Sequence, residues 1–208
     1  MKTKPTMKLL FLSLIAGSVP MAWSDPAEES YAFRKRLECV HEKDRRDPAA
    51  TCAANEFEVK DGFSIVLPKD ASDFVYRVAR DFEDYLAVSM GVMPQVWRGR
   101  GSGIGDQGSL KVSVDASLRD REYRIEVDDG VSIRAHDERA LAQAFYRLED
   151  RMNLRGGPFL KRGIENRRPR FAVRMTHSGY GNDIFPDEHL SQMAHYGMTA
   201  ILVFLDDI

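Results

Sequence analysis

The order of elements in this sequence predicts an α+β fold, one sheet covered by helices, followed by a strand–helix–strand unit of the parallel-sheet kind. Three observations carry the prediction. Two apolar stripes recur at helical spacing, the segments around them alternate apolar and polar residues, and the last apolar run does not alternate at all.

Phe57-Glu58-Val59 and Phe63-Ser64-Ile65-Val66-Leu67 flank Asp61-Gly62, a favoured tight-turn pair, and predict a hairpin. After Pro68, Ser72 is placed to cap a helix in which Phe74, Val78, Phe82 and Leu86, with Val75, Ala79 and Tyr85, recur at helical spacing up to Gly91. Residues 99 to 108 are rich in glycine, and Gly103-Ile104-Gly105-Asp106-Gln107-Gly108 has the letters of the dinucleotide-binding pattern. That pattern needs a helix directly after it, so that phosphate meets a helix N-terminus. Here Leu110, Val112 and Val114 alternate as a strand, and the stretch reads as a loop.

Tyr123, Ile125 and Val127 then alternate with polar residues, Asp129-Gly130 supplies a turn, and Val131, Ile133 and Ala135 alternate on the return, which predicts a second hairpin. Asp137 is placed to cap a helix carrying Ala140, Leu141, Ala144, Phe145, Leu148 and Met152 on one face and ending near Asn153 and Gly156. From Arg167 the pattern changes. Phe171 to Met175 reads as a strand, Pro186 to Tyr196 as a short helix stopped by Gly197, and Ala200 to Leu205 as a strand buried on both faces. A lone unit of this kind leaves an unpaired edge and an uncovered apolar face, so the expectation is a fragment whose continuation repeats the alternation.

The N-terminus has a different character. Lys2, Lys4 and Lys8 precede the apolar stretch from Leu9 to Ala16, and Ala22-Trp23-Ser24 has the small-x-small form of a cleavage site, which predicts a secretory signal peptide over residues 1–24. The apolar run is far shorter than the roughly 20 residues that cross a bilayer, and no later segment is long and apolar enough to do so. Residues 25–55 are dense in charge and are expected to form a solvated lead-in. Their Cys39 and Cys52 are the only cysteines; in an oxidising compartment they are expected to pair, with two unpaired thiols as the alternative. Only His41 lies near them, too few ligands for a closed zinc site there.

The chain has 30 basic and 32 acidic side chains; removing the three signal lysines leaves 27 against 32, a net charge of −5. That balance does not suggest a nucleic-acid binder. With 43% hydrophobic and 30% charged residues, the composition is that of a folded globular protein.

Three stretches together carry a family resemblance: Tyr123 to Ala135, Glu138 to Asp150, and Arg168-Pro169-Arg170-Phe171-Ala172-Val173-Arg174. They resemble the junction between the N-terminal domain and the catalytic barrel in glycoside hydrolases of the β-N-acetylhexosaminidase kind (family 20) and of the related α-glucuronidase kind. The likeness spans roughly residues 57 to 208. It implies an α+β accessory domain over residues 56–165, zincin-like in outline, and the start of a truncated (β/α)8 barrel over 166–208. No His-Glu-x-x-His is present, which removes the zinc-protease reading that the outline invites.

The same resemblance singles out Arg174, which matches the family's sugar-hydroxyl-binding arginine on the first barrel strand; a structural ion pair at the domain junction is the competing role. A guanidinium fork suits vicinal hydroxyls or a carboxylate. The family's arginine-glycine is Arg174-Met175 here, followed by Thr176-His177-Ser178. His177, Asp206 and Asp207 follow predicted strands, and the carboxyl ends of barrel strands face the active site, so they are candidates for sugar hydroxyls or else ordinary loop residues. His136, His189 and His195 read as turn or helix-surface residues, and Glu149-Asp150 as a solvated helix face. The catalytic carboxylates of such enzymes are expected beyond Ile208. The implied function is therefore the N-terminal portion of an exported glycoside hydrolase, inactive alone. The alternative is a non-catalytic secreted carbohydrate-binding or scaffold protein. Neither reading implies a cofactor or a metal; the expected partner is a carbohydrate, and oligomeric state is open.

Overall fold

A computed structural model describes residues 39–99, 108–177 and 187–203. Its framework is a six-stranded mixed sheet in the order β3-β2-β4-β6-β5-β8, with β1 (Glu56–Glu58) outside it. The members are β2 (Ser64–Leu67), β3 (Gln95–Arg98), β4 (Ser109–Val114), β5 (Tyr123–Val127), β6 (Val131–Ala135) and β8 (Gly163–Arg167). Strands β3, β2, β4 and β6 run parallel, while β5 is antiparallel to both β6 and β8. Ile65, Leu67, Leu110, Val112, Ile125, Val127, Ile133 and Ala135 are buried on one face, whereas Arg124, Glu126, Lys111 and Arg134 lie on the other. This alternation is what a sheet covered on a single side requires.

The cover is two helices, α1 (Asp73–Met90) and α2 (Glu138–Arg155), packed against each other and the sheet. Both are delimited as the sequence predicts. Ser72 Oγ accepts from Val75 N at 3.2 Å and Asp137 Oδ1 from Ala140 N at 2.7 Å, and each helix ends on a left-handed glycine, Gly91 (φ 65°) and Gly156 (φ 71°). The apolar stripe of α1 is buried from Val75 to Met90, except that Phe74 stands 38% exposed at the edge of the stripe.

The second predicted hairpin is present, with Val127 opposite Val131 and Ile125 opposite Ile133. The first is not. Asp61-Gly62 does turn, with Gly62 at φ 80° and Phe63 N donating to Lys60 O. The arms then separate: β1 pairs antiparallel with β7 (Phe159–Lys161), while β2 lies between parallel β3 and β4. Between them Ile65 and Leu67 are almost wholly buried, which an isolated two-stranded ribbon does not offer. Strands β3, β7 and β8 escape sequence reading because two are exposed sheet edges and the third has three residues.

Most of residues 39–55 are exposed, as a solvated lead-in would be, but the segment is also anchored. Ser89 Oγ donates to Glu42 O (2.7 Å), Asp47 N to Gly156 O (2.9 Å), and Arg155 holds both Glu56 and Thr51 O, so this charged segment lies docked along the ends of α1 and α2. Docking also accounts for the fate of the cysteines. The expected Cys39–Cys52 disulfide is not formed: both thiols are free and exposed. Cys39 is held beside Gln192, whose Nε2 donates to Cys39 O, while Cys52 lies at the approach to β1, next to Ala53 and Glu56. The two ends of the segment are tied to different elements.

A second, two-stranded sheet follows. β9 (Met175–His177) and β10 (Ala200–Leu202) are parallel, with Met175 opposite Ala200 and His177 opposite Leu202, and are joined through α3 (Asp187–His195). The predicted strand–helix–strand unit is therefore present, but its first strand begins later than expected. Among the described residues the backbone meets the second strand only from Arg174, whose O accepts from Thr199 N and Ala200 N; Phe171 and Val173 before it are 67% and 63% exposed. The second strand is not buried on both faces either, with Leu202 at 39% and Val203 at 37% exposed, because β9 is its one described neighbour. The glycine-rich stretch, except Gly99 and Gly108, and the signal segment lie outside the described residues. Among the described residues no helix is long and apolar enough to cross a membrane.

Candidate functional site

The described residues place chemistry in two neighbouring regions, the carboxyl end of the β9–β10 pair and a buried polar cluster where α3 meets α1 and α2. In the first region His177 closes β9, opposite Leu202, at the end that faces the active site in parallel barrels. Asp206 and Asp207 lie outside the described residues.

Arg174 sits at the other, amino end of β9. Its Nε donates to Gly197 O, Nη1 to Phe171 O (3.2 Å) and Nη2 to Gln143 Oε1 on α2 (3.1 Å). A guanidinium whose three nitrogens all donate to the protein is a strut. In this structure it ties the turn after α3 to the accessory helix.

The second region was not legible as a site. Asp81, Asp84 and Tyr85 share one face of α1, and Tyr146, Glu149 and Asn153 one face of α2, because residues three, four and seven apart align on a helix. Tyr85 Oη shares its proton between Glu149 O (3.1 Å) and Asn153 Oδ1 (2.9 Å), which locks the two helices in register. Into the furrow between them come His195 from α3 and His41 from the docked segment, their rings edge to face at 5.5 Å, with Tyr146 packed 4.2 Å from the His195 ring.

The inward atoms form a tight group. His195 Nε2 lies 2.9 Å from Asp81 Oδ2 and 3.3 Å from Glu149 Oε2, and His41 Nε2 lies 3.7 Å from Asp81 Oδ1. Each imidazole is oriented from behind. His41 Nδ1 meets Asp84 Oδ2 at 2.8 Å and His195 Nδ1 meets Ser191 O at 2.8 Å; both partners are acceptors, so both Nδ1 atoms carry the proton. The side chains of His41, Glu149 and His195 are only 5%, 7% and 11% exposed.

Such burial has electrostatic consequences. Burial pushes the Glu149 carboxyl above the ordinary carboxylate range, against the pull of His195. Burial alone would lower His195, but the carboxylates of Asp81 and Glu149 overcome it and hold the imidazole up to about 10. The phenols of Tyr85 and Tyr146 are pushed up by burial and stay protonated. A hollow of about 360 Å³, bordered by Arg45, Tyr146, Gln192 and Tyr196, opens beside the cluster.

His195 is thus not a helix-surface residue and Glu149 not part of a solvated face. One signal in the sequence does point inward: Glu149 follows Phe145 by four residues and precedes Met152 by three, a charge within the apolar stripe of α2. Nothing in the sequence pairs it with His41, over a hundred residues away.

No protein-family model and no curated protein sequence matches this chain. Among solved structures, it is similar to a mutant Streptomyces plicatus β-hexosaminidase in complex with product (GlcNAc), at 20% identity and a TM-score of 0.57, covering 76% of this chain and 34% of that one. It is similar to the family 20 β-N-acetylhexosaminidase of Streptomyces coelicolor A3(2) (20% identity, TM-score 0.56, 76% of this chain and 34% of that one). It is also similar to the Flavobacterium johnsoniae chitobiase (13% identity, TM-score 0.57, 81% and 27%). The chain thus resembles, in fold, part of the family 20 β-N-acetylhexosaminidases, and it spans about a third of the length of the structures it matches.

Proposed function

We propose that this chain is the N-terminal portion of an exported glycoside hydrolase of the family 20 kind, in which the six-stranded α+β domain supports a (β/α)8 barrel that begins at β9. The observation that carries the reading is the fold likeness to β-N-acetylhexosaminidases over 76–81% of this chain, and the parallel β9–α3–β10 unit that follows the six-stranded domain supports it. Exposed apolar side chains on that unit support it: Phe171, Val173, Met175, Leu202 and Val203 are the surface that further barrel strands and helices would cover.

In this reading the substrate is a carbohydrate whose hydroxyls meet His177, Asp206 and Asp207 at the carboxyl ends of the strands. Arg174 braces the barrel start against α2 through Gln143. The acid and its partner carboxylate belong to later strands, so the 208-residue chain does not turn over substrate by itself. The signal-like pattern of residues 1–24 supports work outside the cytoplasm, in the periplasm or the medium.

The test is to express the parent open reading frame in its native host, recover the protein from the periplasm or medium, and assay it beside the 208-residue chain on a panel of aryl β-glycosides that includes the N-acetylglucosaminide. The expected result is a mature N-terminus at Asp25, turnover by the parent product and none by the 208-residue chain. Turnover by the short chain overturns its inactivity. A parent product retained in the cytoplasm overturns export, and one that hydrolyses no glycoside overturns the enzymatic reading in favour of a non-catalytic carbohydrate binder.

A further inference from the structure

The His41, Asp81, Glu149 and His195 cluster does not balance as a set of hydrogen bonds. With both Nδ1 protons committed outward, each imidazole turns Nε2 toward carboxylate oxygens. His195 Nε2 is close to Asp81 and Glu149 without the alignment of a hydrogen bond. His41 Nε2 and Glu149 Oε1 are likewise buried with no hydrogen-bond partner. Three inward polar atoms without an aligned hydrogen bond, two of them on side chains more than nine-tenths buried, is a large number for one furrow, because an unmade hydrogen bond of a buried group costs about 1–3 kcal/mol.

We propose that these four residues form a closed structural site for one divalent transition-metal ion of the zinc type, at the seam between the accessory domain and the β9–α3–β10 unit. The donor set is two imidazole nitrogens and two carboxylates, which suits zinc and excludes the all-oxygen preference of calcium and magnesium. One ligand atom from each of the four residues lies within 4.8 Å of all the others. Ligands about 2.1 Å from a tetrahedral zinc stand roughly 3.4 Å apart, and the observed 2.9, 3.3 and 3.7 Å contacts straddle that value. Once the ion displaces the Nε2 proton of His195, two neutral imidazoles and two carboxylates carry a charge of −2, which a divalent cation cancels in a buried place.

The surroundings are those of a metal centre. Asp84 behind His41 is the carboxylate of a carboxylate–histidine–metal arrangement, and Ser191 O behind His195 is the backbone counterpart; each fixes the tautomer that leaves Nε2 free to bind. Four protein ligands leave no open position, so the role is structural. The ion would tie together the segment at 39–55, both accessory helices and α3, elements that are far apart in sequence. The inference is independent of the chain's enzymology.

The test uses the 208-residue chain stripped with a chelator and titrated with cobalt(II), then with zinc. The expected result is the intense visible absorption of tetrahedral cobalt rising to one equivalent, its loss on adding zinc, and a melting temperature that climbs with zinc concentration. Glu149→Gln and His41→Gln abolish the signal; His41→Gln leaves all three helices untouched, and far-ultraviolet circular dichroism confirms that the variant folds. Asp84→Asn weakens affinity by ~10–100-fold, the effect of losing an outer partner. His136→Gln, in the separate Asp120, His136 and Asp137 group, leaves binding unchanged. No uptake by the wild type, uptake indifferent to His41→Gln and Glu149→Gln, or a melting temperature that zinc does not move overturns the proposal and leaves the cluster held by protons alone.

Discussion

Phe145→Ala is expected to destabilise the accessory domain by ~3–5 kcal/mol, as truncations of fully buried phenylalanines do. Phe145 is wholly buried on α2 and stands edge to face against Phe82 of α1 at 5.4 Å, so its ring fills the space where both helices meet the sheet. The neighbours cannot collapse into the cavity, because β4, β5 and β6 fix one wall and the Tyr85 bond between the helices fixes another. Phe74→Ala is the control. It removes the same ring from a side chain 38% exposed at the rim of α1 and is expected to cost no more than about 1 kcal/mol. Urea unfolding of both variants reads the difference as a shift in midpoint. Equal shifts would mean that the core is not centred where the two helices cross.

His195→Ala, studied in chelator so that no metal contributes, is expected to cost ~3–5 kcal/mol of the docking of α3. Removing one partner of a buried ion pair leaves the Glu149 and Asp81 carboxylates facing each other with no positive group between them. The loss is local in form. No residue of α3 is fully buried, and Leu190 is 39% exposed, so apolar packing cannot hold the helix when the ion pairs go. Hydrogen exchange should then accelerate at the amides of Ser191 to Gly197 while those of β5 and β6 keep their protection. Glu188→Ala, on the exposed side of the same helix, should change neither. Uniform acceleration throughout the chain would instead show that α3 and the accessory sheet unfold as one unit.

Local chemistry made much of this fold legible. Ser72 and Gly91, Asp137 and Gly156 mark helix ends because capping is decided within a few residues, and the β5–β6 hairpin follows from one alternating pattern and one turn. What failed was non-local. Asp61-Gly62 signals a turn but not which strands pair after it, and the partner of β1 arrives about a hundred residues later at β7. Composition marks residues 39–55 as charged and exposed but does not reveal their anchoring, because Glu42 and Asp47 meet Ser89 and Gly156 through backbone groups rather than through their charges.

The candidate sites divide in the same way. His177 falls at a strand end as its position after an apolar run suggests, whereas Arg174, singled out by resemblance, braces α2 through Gln143. The His41, Asp81, Glu149 and His195 cluster draws on four separate segments, and only the charge inside the stripe of α2 hinted at it.

The central claim is that carbohydrate chemistry belongs to the barrel beginning at β9, with the six-stranded domain as its support. A crystal structure of the parent gene product soaked with N-acetylglucosamine and with a panel of other monosaccharides tests it most directly. Sugar is expected at the carboxyl ends of parallel strands, with His177 at the end of β9 and the Asp206-Asp207 pair contributing. Sugar bound on the polar face of the accessory sheet instead, beside Arg124 and Arg134, would contradict it.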